Sequence, residues 1–157
     1  MRQWFLTAVM ALAVATPAAA NEELDAAFAT DVLIIEASAY ACYRFNIYLA
    51  LDDRQRARGL MHVRALPQTT GMFFVYENAS IHSMWMKNTF IPLDMIFARS
   101  DGTVASIAKN TEPLSLRSVT SLEPVTYVLE LNAGTADRLF IDENSRLFWG
   151  PAHGNDE

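Results

Sequence analysis

The chain has 157 residues, 52% of them hydrophobic, and its 18 acidic residues outnumber its 12 basic ones, which gives a formal net charge of −6. This length and apolar content fit one compact domain with a buried core. An acidic surface is poorly matched to the phosphates of nucleic acids or to anionic lipids, so neither is expected as a partner.

The first 20 residues have the order of segments found in a secretory signal peptide. Arg2 provides a positive charge, a mostly apolar run occupies residues 4–15, and three small alanines occupy residues 18–20. This order predicts cleavage after Ala20 and a periplasmic or secreted protein that is not held in the membrane after cleavage. An uncleaved anchor is the alternative, but the apolar run is shorter than the roughly 20 residues of a spanning helix.

The rest of the chain divides by composition into three parts. Residues 21–31 are acidic and rich in alanine, which predicts a flexible leader, and residues 151–157 form a polar tail. Residues 32–150 carry apolar patterns throughout, which predicts a single globular β-rich domain. Cys42 is the only cysteine, so no internal disulfide can form, and the apolar run around it predicts a buried side chain.

The domain begins with two predicted strands and a short helix. Residues 32–37 and 42–51 are rich in Ile, Val, Tyr and Phe, and alternation in the second run indicates a half-buried strand. Asp52 and Gln55 have the spacing of a capping box. A short helix that covers the sheet is therefore expected to begin after Asp52.

Further strands fill most of the remaining chain. They are predicted at residues 71–76, 83–87, 93–99, 103–109, 125–131 and 146–149. The dipeptide Asp101-Gly102 indicates a hairpin turn, Asn132 is expected to cap a second short helix, and residues 113–124 are predicted as a long loop. Many short strands with two helices favour a mainly β fold, a compact antiparallel barrel or sandwich with two short covering helices.

Three blocks of sequence carry a family resemblance. They read RARGLMHVRALPQTTGMFFVY, WMKNTFIPLDMIFARSDGTV and YVLELNAGTADRLFI. In this order and spacing, over about residues 47–147, they resemble the prokaryotic family named domain of unknown function 192. The resemblance implies export from the cytoplasm and a compact β-rich fold with short helices, and it implies no activity. Other members often carry cysteines in the loop before YVLEL, whereas this loop, NTEPLSLRSVTSLEP, has none.

The segment IHSMWMKNTFIPLDM, residues 81–95, contains the candidate functional side chains. Alternate residues of a strand share a face, so Trp85 and Lys87 are expected to point away from the neighbouring histidine and methionines. An aromatic plane with convergent polar groups suits a saccharide or a small carboxylated molecule. The residues predicted to bind such a ligand, or alternatively a partner, are Arg58, Trp85, Lys87, Asn88 and Asp94. Alternatively, Trp85 belongs to the core, and Asn88 and Asp94 hydrogen-bond a turn.

Two further hypotheses use residues of the same segment. His82, Met84 and Met86 would offer one imidazole and two thioethers, which suits Cu(I), although alternating methionines more often fill a core. Lys87 and Asp94 could carry acid-base hydrolysis if strands 83–87 and 93–99 formed a hairpin that brought them together. The chain has no G-x-S-x-G or HExxH motif, so we lean against an enzyme and expect no cofactor.

Overall fold

A seven-stranded sheet organises the chain in the computed structural model, which describes residues 17–37 and 41–150. The strands of this sheet are β1 (Ala29–Glu36), β2 (Cys42–Ala50), β3 (Thr70–Ser80), β5 (Leu93–Ala98), β6 (Val104–Ala108), β8 (Val125–Asn132) and β9 (Arg146–Phe148). A second, two-stranded sheet consists of β4 (Ser83–Met84) and β7 (Val119–Thr120). The helices are α1 (Pro17–Ala27), α2 (Asp53–Arg58) and α3 (Thr135–Arg138).

The large sheet curls until its two end strands nearly meet. Its order is β6-β5-β8-β3-β2-β1-β9, and every neighbouring pair is antiparallel except β2 with β3, which is parallel. Thr103 bridges to Arg146, and the Leu147 amide donates to the Gly102 carbonyl at 2.8 Å. These contacts join the β6 and β9 edges into a barrel. The predicted mainly β fold with short helices is therefore confirmed.

The sheet buries apolar side chains on both of its faces. An interior core receives residues from all seven strands, among them Phe73, Ile96 and Leu129. An outer core lies on the opposite face, under α1 and the segment that follows α2, and includes Phe74 and Phe97. Since adjacent residues of a strand point to opposite faces, parity along each strand assigns a side chain to one core or the other.

The segment predicted as a flexible leader is ordered and belongs to the fold. Residues 21–31 contain the end of α1 and the start of β1, and Leu24 and Phe28 are buried in the outer core. Phe28 packs edge-on against Tyr48 at 6.5 Å between ring centroids, and the Tyr48 hydroxyl donates to Asp25 at 2.8 Å. Two buried apolar residues four apart and the Asp25–Tyr48 hydrogen bond attach this acidic stretch to the barrel.

The predicted signal peptide and polar tail fall mostly outside the described residues. Residues 1–16 and 151–157 are not described, whereas α1 continues from Pro17 through the predicted cleavage site after Ala20. Among the described helices, none combines the length and hydropathy needed to cross a membrane.

Local signals correctly predicted one helix cap and one hairpin turn, and wrongly predicted the cap of α3. The Asp52–Gln55 capping box is formed, and β5 and β6 make the hairpin expected at Asp101-Gly102. The hairpin of strands 83–87 and 93–99 on which the hydrolase hypothesis depends is not formed, because β4 pairs with β7 and β5 lies between β6 and β8. Asn132 does not cap α3, since its side-chain amide donates to the Leu66 carbonyl at 2.9 Å instead.

Cys42 is exposed, contrary to the prediction of a buried side chain. It begins β2 opposite Glu36, on the outward side of the strand, while Phe45 and Ile47 enter the interior core. On the Cys42 side of β2, burial begins only further along the strand, at Tyr48 and Ala50 in the outer core.

Candidate functional site

A cavity of about 280 Å³ lies on the outer face of the barrel, between α2, the end of β3 and the segment after β4. Its floor is the sheet itself, and its sides are the helix and an exposed aromatic side chain. The lining residues that carry the argument below are Arg56, Arg58, Tyr76, Trp85, Lys87 and Glu130. The cavity is close to the lower end of the range for small-molecule sites, roughly 300 Å³, so it suits one small ring or short acid.

Hydrogen bonds from its own residues hold α2 beside β3. The capping box starts the helix, and the Arg56 guanidinium donates to the carbonyls of Leu51 at 2.6 Å and Val75 at 2.7 Å. The same guanidinium lies 5.1 Å from the centroid of the Tyr76 ring. Arg56 therefore has a structural role, because its guanidinium N–H groups attach the helix to the strand.

Arg58, the last residue of α2, is a cation at the edge of the cavity. Its guanidinium lies 5.5 Å from the centroid of the Phe28 ring and 3.7 Å from the Glu23 carboxylate. The Phe28 ring is buried, whereas the Glu23 carboxylate is exposed, and an exposed ion pair of this kind contributes little to stability. The guanidinium can therefore exchange its surface partner for an anionic ligand.

Trp85 and Lys87 border the cavity together, as the alternating pattern predicted. Trp85 is 48% exposed, while Met84 and Met86 on either side of it are buried in the outer core. The Lys87 ammonium lies 5.0 Å from the centroid of the Trp85 ring, a cation–π contact that holds the charge at the cavity edge. A half-exposed indole and a positioned ammonium are thus available to one ligand.

Glu130 lies at the floor of the cavity and was not recognised from the sequence as a site residue. It is on β8, paired with Met72 of β3 and Met95 of β5, and is only 4% exposed. Burial raises the pKa of its carboxyl to about 8. The signal available in the sequence is an acidic residue inside the apolar run of YVLEL.

Tyr76 places a phenol next to this carboxyl. Burial raises the pKa of Tyr76, Arg56 opposes this shift, and the nearby Glu130 adds to it. Its hydroxyl is 3.7 Å from the Met84 sulfur, a weak hydrogen bond. The phenol is therefore a neutral group of the cavity wall with limited bonding inside the protein.

Asn88 and Asp94 lie outside the cavity. Asn88 has a left-handed backbone with φ of 56°, and its carbonyl accepts from the His62 amide at 2.8 Å. Asp94 is fully buried, and its carboxylate accepts from the amides of Asn110 and Ala136, each at 2.9 Å. The alternative that both side chains hydrogen-bond the turn at residues 88–92 does not describe these contacts, because Asp94 bonds amides after β6 and in α3, and the Asn88 side chain donates weakly to the Met61 sulfur at 3.9 Å.

Parity explains why Lys87 and Asp94 do not meet. Asp94 shares the face of Ile96, which lies in the interior core, whereas the cavity is on the outer face. The acid-base pair of the hydrolase hypothesis is consequently not assembled. Instead, Asp94 connects β5 to the loop at Asn110 and to the start of α3.

The residues of the Cu(I) hypothesis make contacts with other side chains. The Met86 sulfur accepts from the Thr111 hydroxyl at 3.2 Å, and the Met84 sulfur accepts from Tyr76. The His82 ring stacks on Tyr76 at 3.5 Å between centroids, and burial lowers its pKa. These contacts use both thioethers within the outer core. In the described part of the chain, no three His, Cys, Asp or Glu side chains form a group that could hold a metal.

A second cavity, of about 510 Å³, lies near α1 and the start of β1. Its two acidic side chains already have partners, since Asp25 accepts from the Tyr48 hydroxyl at 2.8 Å and Asp31 accepts from the Trp149 indole at 2.9 Å. Burial, together with Asp25, raises the pKa of Tyr48 to about 12. These groups therefore stabilise the fold. The first cavity has more side-chain hydrogen-bond donors that are available to a ligand.

The barrel, its covering helices and the cavity on its outer face define a small β-barrel protein with a polar cleft. The chain belongs to the DUF192 family, described as uncharacterized ACR, whose profile matches residues 34–149. This confirms the resemblance in the three sequence blocks. No curated protein is significantly similar to the chain.

Two solved structures share this fold. A protein from Sinorhizobium meliloti 1021, provisionally described as a transcription regulator, is 40% identical, with a TM-score of 0.76 over 77% of this chain and 94% of its own. A protein of unknown function from Novosphingobium aromaticivorans DSM 12444 is 32% identical, with a TM-score of 0.74 over 76% of this chain and 85% of its own. Both similarities extend over most of each chain.

Proposed function

We propose that this protein binds a small polar molecule, a saccharide or a small carboxylated compound, in the cavity between α2 and Trp85. The observation that carries the proposal is that Trp85, Lys87 and Arg58 border one concave surface. They come from two separate parts of the chain, so their convergence is a property of the fold.

The chemistry of the lining supports this ligand class. The exposed indole of Trp85 offers an apolar face for the C–H groups of a sugar or an organic acid. Lys87 and Arg58 supply cations beside it, which favour a carboxylate through charge-assisted hydrogen bonds. Glu130 and Tyr76 add polar groups deeper in the cavity.

We also propose that the protein acts outside the cytoplasm after its signal peptide is removed. The exported form would then begin at Asn21, which its intact mass would reveal; a mass that retains residues 1–20 would contradict cleavage. The description of the Sinorhizobium protein as a transcription regulator is not extended to this chain. The formal charge of −6 on the present chain is unfavourable for binding nucleic acid.

Binding is tested by thermal shift of the protein against sugars and organic acids, followed by calorimetric titration of any compound that raises the melting temperature. Trp85→Ala should weaken binding by about tenfold or more, because it removes the stacking surface. Phe148→Ala is the matched control, since Phe148 is also a half-exposed ring beneath a cation, Arg146, but is remote from the cavity lining.

Loss of affinity in Trp85→Ala with full affinity in Phe148→Ala supports the proposal. Equal affinity in both variants, or the absence of any stabilising compound in either class, would overturn it.

A further inference from the structure

Glu130 is a buried acid whose side chain lines the cavity. Within the described part of the chain, no protein group donates a hydrogen bond to this carboxyl, and no cation offsets its burial. A buried polar group without a partner is costly, and exceptions to that rule require an explanation. The side chain lines the cavity, so a bound molecule can supply the missing partner.

The surroundings of Glu130 keep it on the cavity side of the sheet. Glu130 has the parity of Val128, which lies in the outer core, while Leu129 and Leu131 lie in the interior core. Its two strand neighbours on this face, Met72 and Met95, are apolar. The polar group of the sheet beside this carboxyl is the Tyr76 phenol, whose hydroxyl donates weakly to the Met84 sulfur at 3.7 Å.

The charged and titratable side chains around the cavity lie in two places, at its floor and at its edge. The other charged or titratable groups that line it are Asp53, Arg56 and Arg58 from α2, Tyr76 from β3 and Lys87 after β4. The Arg56 guanidinium already donates to two backbone carbonyls and forms an ion pair with the Asp53 carboxylate, at 2.7 Å. Cations that remain available, Arg58 and Lys87, lie at the edge. The cavity thus has a positive edge and an uncharged acid at its floor.

We propose that the ligand is a sugar acid, a hydroxylated carboxylate bound with its carboxylate at Lys87 and Arg58 and with a hydroxyl or ring oxygen accepting a hydrogen bond from protonated Glu130. This inference deepens the proposed function and depends on it. The raised pKa of Glu130, which burial causes, supports the protonated state at neutral pH. A protonated carboxyl donates one hydrogen bond that an ionised one cannot.

Binding should then weaken as the proton is lost. Above about pH 8 Glu130 becomes an anion, so its donor disappears and its charge repels an anionic ligand. We expect the affinity for D-glucuronate, measured by calorimetry, to fall about tenfold or more between about pH 6 and about pH 9. D-glucose, which lacks the carboxylate, should bind more weakly than D-glucuronate at the lower pH.

Three variants separate the roles of the groups. Glu130→Gln keeps the shape and a donor at every pH, so its affinity for D-glucuronate should be nearly equal at both pH values. Glu130→Met fills the space without a donor and should bind weakly at both. Lys87→Gln should reduce the preference for D-glucuronate over D-glucose. Melting curves of each variant show whether it is folded before titration.

The outcomes distinguish this inference from the proposed function. If Trp85→Ala abolishes D-glucuronate binding but the wild-type affinity is the same at both pH values, the inference fails and the proposed function stands. The same holds if Glu130→Gln keeps the full pH dependence, or if only uncharged sugars bind. If no compound of the thermal-shift panel binds, the proposed function and this inference fail together.

Discussion

The burial of Glu130 links the stability of the whole protein to pH. Its pKa is about 8 in the folded chain and near 4.5 when exposed, so the folded state holds a proton that the unfolded state has released between these values. The stability from this group is complete below about pH 4.5 and is lost as the pH rises through about 8. At one pKa unit per 1.36 kcal/mol, the loss is on the order of a few kcal/mol.

We predict that Glu130→Gln removes this part of the pH dependence. Urea unfolding of the wild type and of Glu130→Gln at several pH values between about 5 and 9 measures the difference between their free energies of unfolding. Relative to the variant, the wild type should lose stability as the pH rises. Parallel curves for the two proteins would show that Glu130 does not titrate as its burial implies.

Asp94 is predicted to contribute to stability and not to binding. Asp94→Asn removes one of two acceptor oxygens and should destabilise the protein by about 1–3 kcal/mol, because a buried amide of Asn110 or Ala136 loses its partner. Lys87→Gln, at an exposed position, should change stability by about 0.5 kcal/mol or less. Denaturant unfolding measures the free energy of unfolding of Asp94→Asn and of Lys87→Gln. Equal, small effects would indicate that the carboxylate has little structural role.

Closure of the barrel depends on a glycine at the edge of its two end strands. Gly102 has φ of +84°, and a Cβ there would clash with the carbonyl oxygen of Leu147, the residue whose amide donates to the Gly102 carbonyl in the β6–β9 contact. A side chain would therefore have to push β9 away from the turn. We predict that Gly102→Ala destabilises the protein by about 3 kcal/mol or more, since steric conflict adds to backbone strain.

Gly134 provides the control for that substitution. Its φ is +79°, similar to that of Gly102, but a Cβ at Gly134 would meet nothing within 4 Å. Gly134→Ala should therefore show only the cost of the left-handed backbone, roughly 1–2 kcal/mol. Melting temperatures of the two variants isolate the steric part. If both fall equally, the β6–β9 contact does not contribute to stability as the structure indicates.

At the scale of the molecule, the outer core of the barrel includes residues close to the predicted cleavage site. A chain that begins at Asn21 keeps Leu24 and Phe28 and should melt like a chain that begins at Pro17. A chain that begins at Ala29 loses both apolar side chains, each worth roughly 1.5–3 kcal/mol of burial, and leaves Tyr48 without Asp25. We predict a clearly lower melting temperature for the shorter chain. Equal melting temperatures would mean that α1 does not stabilise the barrel.

The candidate site was only partly accessible from the sequence. Trp85 and Lys87 were predicted to share a side because alternation is a local property of the backbone. The sequence does not identify Glu130 as a cavity residue, and it wrongly suggests Asp94. A strand residue lines the cavity only if its side chain points to the outer face of the barrel, where α2 lies. Strand partners decide that face, and β5 has β6 and β8 as partners instead of β4.

By itself, the sequence determined the family, the mainly β class, the Asp52–Gln55 capping box and the Asp101-Gly102 turn. All of these depend on patterns or contacts within a few residues. Only the tertiary structure decided the parallel β2–β3 pair, the closure at Gly102 and the presence of Glu130 and Trp85 around one cavity. Such pairings join residues that are far apart in the chain, and their free energy depends on the whole barrel rather than on any local segment.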